Sequence, residues 1–372
     1  MTRIQISAPT ERRQEPEVAD PTVPIKLSTG APSASPGLRF EDRVAEHFTT
    51  WDQNNDGTLS RVEVDRAMQD PNFQGDAGAA LATLKTHLGA LEQLANDEYG
   101  EENGGLSVAD LEVYRALHSA GVEVNHIGAT DEVHRGRILT ASHRLFATDS
   151  VDPDALEQGS RGDCWLLASA VAEAHRDPED FRSRFRTLPD GNYSVRFEGQ
   201  EPVLVEKPTD AEIAYGARSG ADGTWATVLE KAAGQLEWQD HYFGAPTHPA
   251  DEVDGGRTNA EGIAHFTGAP TDFVWLANAK PAAIRDQLEK GLSDEKLVVG
   301  SSSPGATAIP GDHAYTILGY DRASDTVTLR NPWGHGELTD PSGAPIDGND
   351  DGIFAMSLSQ FTANFDGFTI ER

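Results

Sequence analysis

Residues 158–165 read QGSRGDCW and contain the single cysteine of the 372-residue chain, Cys164. The stretch CWLLASAVAEAH predicts a helix that begins at this cysteine. Unpaired N–H groups and the dipole at the start of a helix stabilise an anion, so we expect the thiol to ionise below its free pKa of about 8.5. A lone cysteine is more often a small hydrophobic core residue, and only the rest of the sequence decides between these two interpretations.

Two downstream segments contain the partners that a nucleophilic thiol requires. GDHAY contains His313, and NPWG begins with Asn331. An imidazolium beside the sulfur lowers the thiol pKa and later donates a proton to the leaving amine, while a carboxamide holds the second ring nitrogen. Gln158 is expected to direct its amide at a developing oxyanion, together with the backbone N–H of Cys164. Taken singly, each residue has a purely structural explanation, for example a turn asparagine before proline.

In this order, the segments resemble those of the calpain family of cysteine proteases, whose nucleophile segment has the form Q-G-x-x-G-D-C-W. WATVLEKA at 225–232 resembles a helix of that family, and DGIFAMSLSQFTANFD at 351–366 resembles the segment that closes its protease core. The resemblance covers residues 145–372. It implies a papain-like fold of two subdomains with the active site in the cleft between them, and an enzyme that hydrolyses peptide bonds in proteins.

The resemblance also implies a role for each site residue. Cys164 would form an acyl-thioester, with His313 and Asn331 as its partners and Gln158 at the oxyanion, and Trp333 would cover the Asn–His hydrogen bond. Two alternatives remain open. One is a catalytically inert, calpain-like binding or scaffold protein that depends on calcium, although inert relatives typically lose the cysteine or the histidine. The other is a transglutaminase, whose third catalytic residue is usually aspartate rather than asparagine.

The N-terminal part contains a second motif, DQNNDGTLSRVE at residues 52–63, which matches the EF-hand calcium loop position by position. Calcium is a hard cation that takes six to eight oxygen ligands, and Gly57 stands where the loop must turn with positive φ. The predicted calcium ligands, at loop positions 1, 3, 5, 7, 9 and 12, are Asp52, Asn54, Asp56, Thr58, Ser60 and Glu63. We expect Leu59 to pair in a short strand with a second hand.

A second, degenerate hand is predicted at residues 96–114, NDEYGEENGGLSVADLEVY. Ser107 and Asp110 match positions 9 and 12, but counting back places Tyr99 at position 1, where it cannot offer a carboxylate. Either Asp97 begins a loop with an insertion, or this hand is structural only. The structural interpretation is favoured.

Two positions depart from the calpain pattern of calcium sites inside the protease core. Glu337 and Asp351 match acidic residues of such a site, but Ile353 replaces its last acidic residue. In the first subdomain, Ala155 stands where the family has an aspartate, with Asp154 beside it. Complete calcium sites are therefore not expected in the core.

The order of the predicted elements indicates an α+β protein in which an all-α EF-hand pair precedes a papain-like protease core. The tail at residues 1–38 is rich in Pro, Ser, Glu and Arg and is predicted to be disordered. Residues 39–120 form the EF-hand pair, residues 121–144 a linker and residues 145–372 the protease core.

Inside the core, short alternating or apolar runs predict strands, and longer amphipathic runs predict helices. The predicted helices besides that at Cys164 are 224–238 and 281–292. The predicted strands are 192–197, 202–206, 297–300, 313–320, 326–331 and 351–358.

Composition limits the classes of partner. The chain has 61 acidic against 30 basic residues and a formal charge of -31, which repels nucleic acid and anionic lipid and attracts cations such as calcium. Neither a run of about 18 apolar residues nor the apolar centre of a secretory signal is found. We therefore expect a cytoplasmic monomer that acts on protein or peptide substrates, with leaderless export left open.

Overall fold

The computed structural model describes residues 38–95, 104–238 and 248–372. The predicted tail, apart from its last residue, and residues 96–103 of the predicted second hand lie outside the described residues.

Within residues 38–95 and 104–140, five helices bury one hydrophobic core. They are α1 (Phe40–Trp51), α2 (Arg61–Met68), α3 (Asp76–Leu91), α4 (Val108–Ser119) and α5 (Ile127–Thr140). The short strand β1 (Thr58–Leu59) lies between α1 and α2, and β2 (Leu106–Ser107) lies between α3 and α4. The two strands pair antiparallel, with Leu59 opposite Leu106. The strand expected at Leu59 is therefore present and pairs with the segment of the predicted second hand.

Capping boxes begin both helices that follow these strands. Ser60 accepts a hydrogen bond from the backbone of Glu63, whose carboxylate returns to the N–H of Ser60. Ser107 and Asp110 make the same reciprocal pair at α4. Each box satisfies N–H groups that have no partner inside the helix, and so fixes where the helix begins.

The segment predicted as a linker, 121–144, includes helix α5. Ile127 and Ile138 belong to the helical core, and α5 packs on α3. Its other buried side chains, Asp131 and His134, are polar. The linker prediction therefore differs from the structure, because the inward face of this helix carries few apolar residues.

The first half of the predicted protease core (residues 145–372, called the protease part below) is a group of helices on a small sheet. Its helices are α6 (Cys164–Arg176), α7 (Pro178–Ser183), α8 (Asp210–Tyr215), α9 (Trp225–Trp238) and α10 (Asn259–Thr267). The strands β3 (Phe185–Thr187), β4 (Tyr193–Val195) and β5 (Val203–Val205) form a three-stranded antiparallel sheet.

The second half is a six-stranded antiparallel sheet in the order β10-β9-β8-β7-β11-β6. Its strands are β6 (Thr271–Trp275), β7 (Val298–Ser302), β8 (Ala314–Asp321), β9 (Thr326–Arg330), β10 (Ile353–Ser357) and β11 (Phe365–Glu371). Two helices complete it, α11 (Pro281–Ser293) and α12 (Leu358–Asn364). The predicted α+β class is confirmed, and every predicted strand of the core is present within two or three residues of its expected bounds.

Helix α6 lies against β7 and β8 and so joins the two halves. The hydroxyl of Thr316 on β8 donates a hydrogen bond of 2.7 Å to the backbone oxygen of Ala168 on α6. The side chains that line this contact are buried, including Leu167, Val299 and Ala314. This packing brings the start of α6 next to the start of β8.

The five N-terminal helices α1 to α5, called the helical part below, pack on the protease part through α3 and α8. Gly78 of α3 allows the two helices to approach, because a Cβ placed there would lie 2.8 Å from the Cβ of Asp210 and 3.0 Å from the backbone nitrogen of Ala211. Ala211, Ala214 and Tyr215 of α8 belong to the same hydrophobic core as α1 to α5.

This contact predicts opposite results for two helical glycines. Gly78→Ala should lower the free energy of unfolding by about 1–3 kcal/mol, because the new methyl group forces α3 and α8 apart. Gly136→Ala in α5 is the matched control, since a Cβ there meets nothing within 4 Å and alanine favours a helix. Urea unfolding followed by circular dichroism measures both, and equal stability of the two variants would contradict the close packing of α3 on α8.

Candidate active site

Cys164 is the first residue of α6, and its side chain is half-buried. The backbone N–H of Ala314 on β8 forms a hydrogen bond with the sulfur and favours its charged form. Burial is nevertheless the largest influence, and with the adjacent carboxyl of Asp163 it raises the pKa of the thiol to about 11. The expectation of a lowered thiol pKa is therefore wrong for this structure, because loss of solvation outweighs the start of the helix.

His313 lies immediately before β8, and Asn331 follows the last residue of β9. Both are buried, and the ring Nε2 lies 2.9 Å from the Oδ1 of Asn331. The amide nitrogen of Asn331 donates to the backbone oxygen of Gly336 at 3.3 Å, which fixes its oxygen toward the ring. An amide oxygen can only accept, so Nε2 carries a proton in this contact and Nδ1 is left as the basic nitrogen.

Two aromatic rings enclose the imidazole of His313. The ring of Trp333 lies 4.6 Å from it, centroid to centroid, and that of Tyr315 stands nearly perpendicular at 5.0 Å. Burial in these surroundings lowers the pKa of His313 to about 4, against the opposing effect of its hydrogen bond to Asn331. Trp333 therefore occupies the covering position that the resemblance implies.

The fold brings three of the candidate residues to one place. The sulfur of Cys164 accepts a hydrogen bond from the N–H of Ala314, the residue after His313. The ring of His313 is in turn hydrogen-bonded to Asn331. The pairing of β8 with β9 brings the last two together across 18 residues of sequence. At neutral pH the directions of the two pKa shifts make the thiol and the imidazole uncharged.

Gln158 is buried beside this group, and its position is fixed at both ends. Its backbone N–H donates to the oxygen of Pro332 at 2.8 Å, next to Asn331. Its side-chain nitrogen donates to the backbone oxygen of Arg161 at 2.6 Å, which uses one of the two N–H groups of the amide. Its side-chain oxygen is buried without a hydrogen-bond partner among the described residues.

Near each of the two core positions that depart from the calpain pattern, Ile353 and Ala155, an acidic side chain already has partners within the protein. The first of these acidic side chains is Glu337. Glu337 accepts from the backbone N–H groups of Asp351 and Gly352, both at 2.7 Å. Burial, with repulsion from Asp347 and Asp351, raises the pKa of Glu337 to about 7. The side chain of Ile353 offers no oxygen to complete a set of ligands around this carboxylate.

In the other half, a cation of the protein itself stands next to the acidic residue. Arg330 is fully buried and donates to the backbone oxygens of Asp154 at 2.8 Å and Leu156 at 2.6 Å. Its Nε lies 3.3 Å from the carboxylate of Asp154, which also contacts His175 at 2.8 Å. Arg330 and His175 therefore both contact this aspartate.

The predicted calcium loop, residues 52–63, is closed by hydrogen bonds from its own backbone. Gly57 has φ +88° and donates to the carboxylate of Asp52 at 3.0 Å. One oxygen of Glu63 accepts from the N–H groups of Gln53 and Asn54 at 3.0 and 3.2 Å, across the loop. Burial opposes the ionisation of Glu63, but the hydrogen bonds from Ser60, Asn54 and Gln53 outweigh it and lower its pKa.

The other predicted ligands face one another within the same loop. Asp56 accepts from Thr58 and from the amide of Asn54 at 2.8 Å. Over residues 38–95, 104–238 and 248–372, the structure contains no group of three or more His, Cys, Asp or Glu side chains arranged to hold a metal ion. The loop has the residue types and the turn that calcium requires, and its oxygens are bonded to N–H groups.

The sequence pattern does not predict the buried charged groups next to the start of α6, where Cys164 lies. Asp163 is completely buried, and burial with the nearby charge of Glu230 raises its pKa far above the ordinary value. Arg161 is also buried and pairs with Glu230 at 2.6 Å. Asp163 and Arg161 lie inside the stretch QGSRGDCW, but nothing in that stretch indicates that Glu230 lies next to them in the fold.

The titration of Cys164 can be tested directly, because it is the single cysteine of the chain. With a raised pKa, the thiol should react with iodoacetamide at pH 7 about 10²-fold more slowly than an unstructured cysteine peptide, and faster by nearly tenfold per pH unit up to pH 9. Mass spectrometry of the alkylated chain measures the rate. A rate at pH 7 equal to that of the peptide would show that the thiolate form prevails.

Comparison with known proteins assigns a family to this part of the chain. The family model of the calpain family cysteine proteases matches residues 130–372. Similar curated proteins include human calpain-8 (27% identical over 250 residues), Caenorhabditis elegans calpain clp-4 (28% over 259 residues) and the mouse calpain-2 catalytic subunit (24% over 248 residues).

Each of these matches covers 56% of this chain and 34% of the relative, so the chain spans about a third of the length of the curated relatives it matches. Within the described residues, the structure contains no helix long and apolar enough to cross a membrane. The matched range includes Cys164, His313 and Asn331 and both halves of the α+β core around them. The chain belongs to the calpain family of cysteine proteases.

Proposed function

We propose that this chain is a cysteine endopeptidase that hydrolyses peptide bonds in proteins through an acyl-thioester on Cys164. The observation that carries the proposal is the hydrogen bond of 2.9 Å between His313 and Asn331, next to the strand residue whose N–H is bonded to the sulfur. Family membership supports the same chemistry, and the substrates we expect are proteins and peptides.

The first half of the reaction forms the acyl-enzyme. Nδ1 of His313 accepts the thiol proton as the sulfur of Cys164 attacks the carbonyl carbon of the substrate. The oxyanion receives hydrogen bonds from the backbone N–H of Cys164 and from the second N–H of the Gln158 amide. His313 then donates its proton to the amine as the carbon–nitrogen bond breaks, and the amine leaves.

The second half restores the enzyme. His313 accepts a proton from a water molecule, whose oxygen attacks the thioester carbon and displaces the sulfur of Cys164. The product leaves as a carboxylic acid, and the proton returns to the sulfur. Throughout the cycle, Asn331 keeps Nε2 protonated and the ring in one orientation, and Trp333 keeps water from that hydrogen bond.

The raised pKa of Cys164 and the lowered pKa of His313 specifically favour one rival. A calpain-like scaffold protein needs no thiolate, so an uncharged cysteine and histidine would not impair its function. For the endopeptidase, an uncharged resting pair means that proton transfer has to accompany substrate binding or a change in the solvation of the cleft.

Substitution of Cys164 separates the two. Cys164→Ala should reduce cleavage of fluorogenic casein to background, and Asn331→Ala should lower kcat by about 10²-fold, because the imidazole loses its orientation. Ser183→Ala at the exposed end of α7 serves as the control. Cleavage by the Cys164→Ala chain at the rate of the unaltered chain, or no cleavage by either, would reject the endopeptidase.

We propose that the loop at residues 52–63 binds calcium and regulates the enzyme. The residues that would hold the ion are Asp52, Asn54, Asp56, Thr58, Ser60 and Glu63. When bound, calcium supplies a divalent positive charge to this loop. Glu63 also caps α2, so any change in its hydrogen bonds acts on the first turn of that helix.

Calorimetric titration of the full chain with calcium tests the site. Glu63→Gln should weaken binding at least about tenfold, because the loop loses a bidentate carboxylate. Glu46→Gln, on the exposed face of α1, is the matched control. Equal binding by the two variants would exclude the loop, and equal casein cleavage in excess calcium and in chelator would exclude the regulation alone.

A further inference from the structure

A row of buried ion pairs connects the helical part to the protease part. Lys85 on α3 contacts two carboxylates, Asp65 on α2 and Asp251 of the protease part, each at 2.6 Å. The side chains of Lys85 and Asp65 are 1% and 3% exposed, so water does not screen this pair.

The row continues from Asp251 into the segment before the nucleophile. The other carboxylate oxygen of Asp251 lies 2.9 Å from Nε of Arg161, whose side chain is 1% exposed. The guanidinium of Arg161 also pairs with Glu230 at 2.6 Å. The backbone oxygen of Arg161 accepts the hydrogen bond of 2.6 Å from the Gln158 amide, so its position determines where that amide points.

The ring of Tyr215 on α8 packs against both cations of the row. The Nζ of Lys85 lies 5.1 Å from the ring centroid, and the guanidinium carbon of Arg161 lies 4.9 Å from it. An aromatic face attracts cations and excludes water, which strengthens the neighbouring charge pairs. The two cations are therefore held at fixed positions on either side of Asp251.

We propose that Asp65, Lys85, Asp251 and Arg161 form a bridge that transmits the position of α2 to the segment carrying Gln158 and Cys164. This makes Arg161 a positioning residue for the proposed endopeptidase. The catalytic consequence rests on the proposed function, whereas the mechanical coupling does not.

The bridge begins next to the predicted calcium loop. Asp65 is two residues after Glu63 in the same helix, and both side chains are buried. A rotation or shift of the first turns of α2 therefore moves Asp65 relative to Lys85. Because a buried charge without its partner is strongly unfavourable, Lys85 and Asp251 follow, and the guanidinium of Arg161 with them.

Hydrogen exchange of the full chain measures the coupling without reference to activity. The amides of Gln158, Ser160 and Gly162 are bonded to Pro332, Tyr215 and Asp254 and are therefore expected to exchange slowly. Asp65→Asn, which weakens the first contact of the bridge, should raise the exchange rate of a peptide covering 158–166 by about tenfold.

Asp131→Asn is the matched control. Asp131 is likewise buried in the helical part and pairs with Arg43, but neither residue contacts the bridge among the described residues. It should increase exchange near α1 and α5 and leave 158–166 unchanged. Equal protection of 158–166 in the Asp65→Asn and unaltered chains, or equal loss of protection in both variants, would overturn the bridge. If Asp65→Asn does not fold, Lys85→Met tests the same contact.

Kinetics test the positioning role. Asp65→Asn should lower kcat for casein peptides about tenfold with KM within twofold, because the oxyanion donor and not the binding surface is disturbed. Lys85→Arg keeps the charge and should retain most of kcat, whereas Lys85→Met should not. If no chain cleaves peptide but Asp65→Asn still exposes 158–166, the bridge stands and the proposed function fails. If exchange is coupled and kcat is unchanged, the positioning role is rejected.

Discussion

The packing of α6 against β7 and β8 is the constraint on which the site depends. Cys164 is the first residue of that helix and His313 immediately precedes β8, so the contact between Thr316 and Ala168 sets the separation of the two reactive groups. The pairing of β8 with β9 then places Asn331 beside the ring of His313. A shift of the helix along the sheet would separate sulfur and imidazole without breaking any bond between the catalytic residues.

The same packing explains why the reactive pair rests uncharged. A helix laid directly on a sheet excludes water from its ends, and solvation is what a thiolate or an imidazolium most needs. The helix dipole and the N–H of Ala314 favour the thiolate, but they act against a larger loss. Charge in the neighbourhood is instead concentrated in Arg161, Glu230 and Asp251, whose opposite signs stabilise one another.

The sequence predicted most of the protease core and the members of the candidate site, because both depend on local pattern. A strand is recognised from the alternation of apolar residues along a short run. The segments around Cys164, His313 and Asn331 are likewise recognised from a few consecutive residues. Helix α5 was not predicted because Asp131 and His134 fill its inward face, so the apolar period is missing. The edge strand β6 was not predicted either, since the aromatic rings of Phe273 and Trp275 face outward.

The quantities that were wrong or missing depend on contacts between distant parts of the chain. The sign of the Cys164 pKa shift follows from how much water the assembled halves exclude, which no local pattern contains. Lys85 lies in helix α3 among buried apolar residues such as Leu81 and Leu84. Its two carboxylate partners are 20 and 166 residues away in the sequence, so no local pattern indicates that this lysine is buried.

Arg330 has a consequence for how the two halves of the protease part hold together. It extends from β9 into the segment at 154–156 of the other half and donates to two backbone oxygens there. A guanidinium attached to the chain cannot be washed out, diluted or exchanged for another species. The positive charge that joins the two halves at this junction is therefore part of the polypeptide and is present whenever the chain is folded.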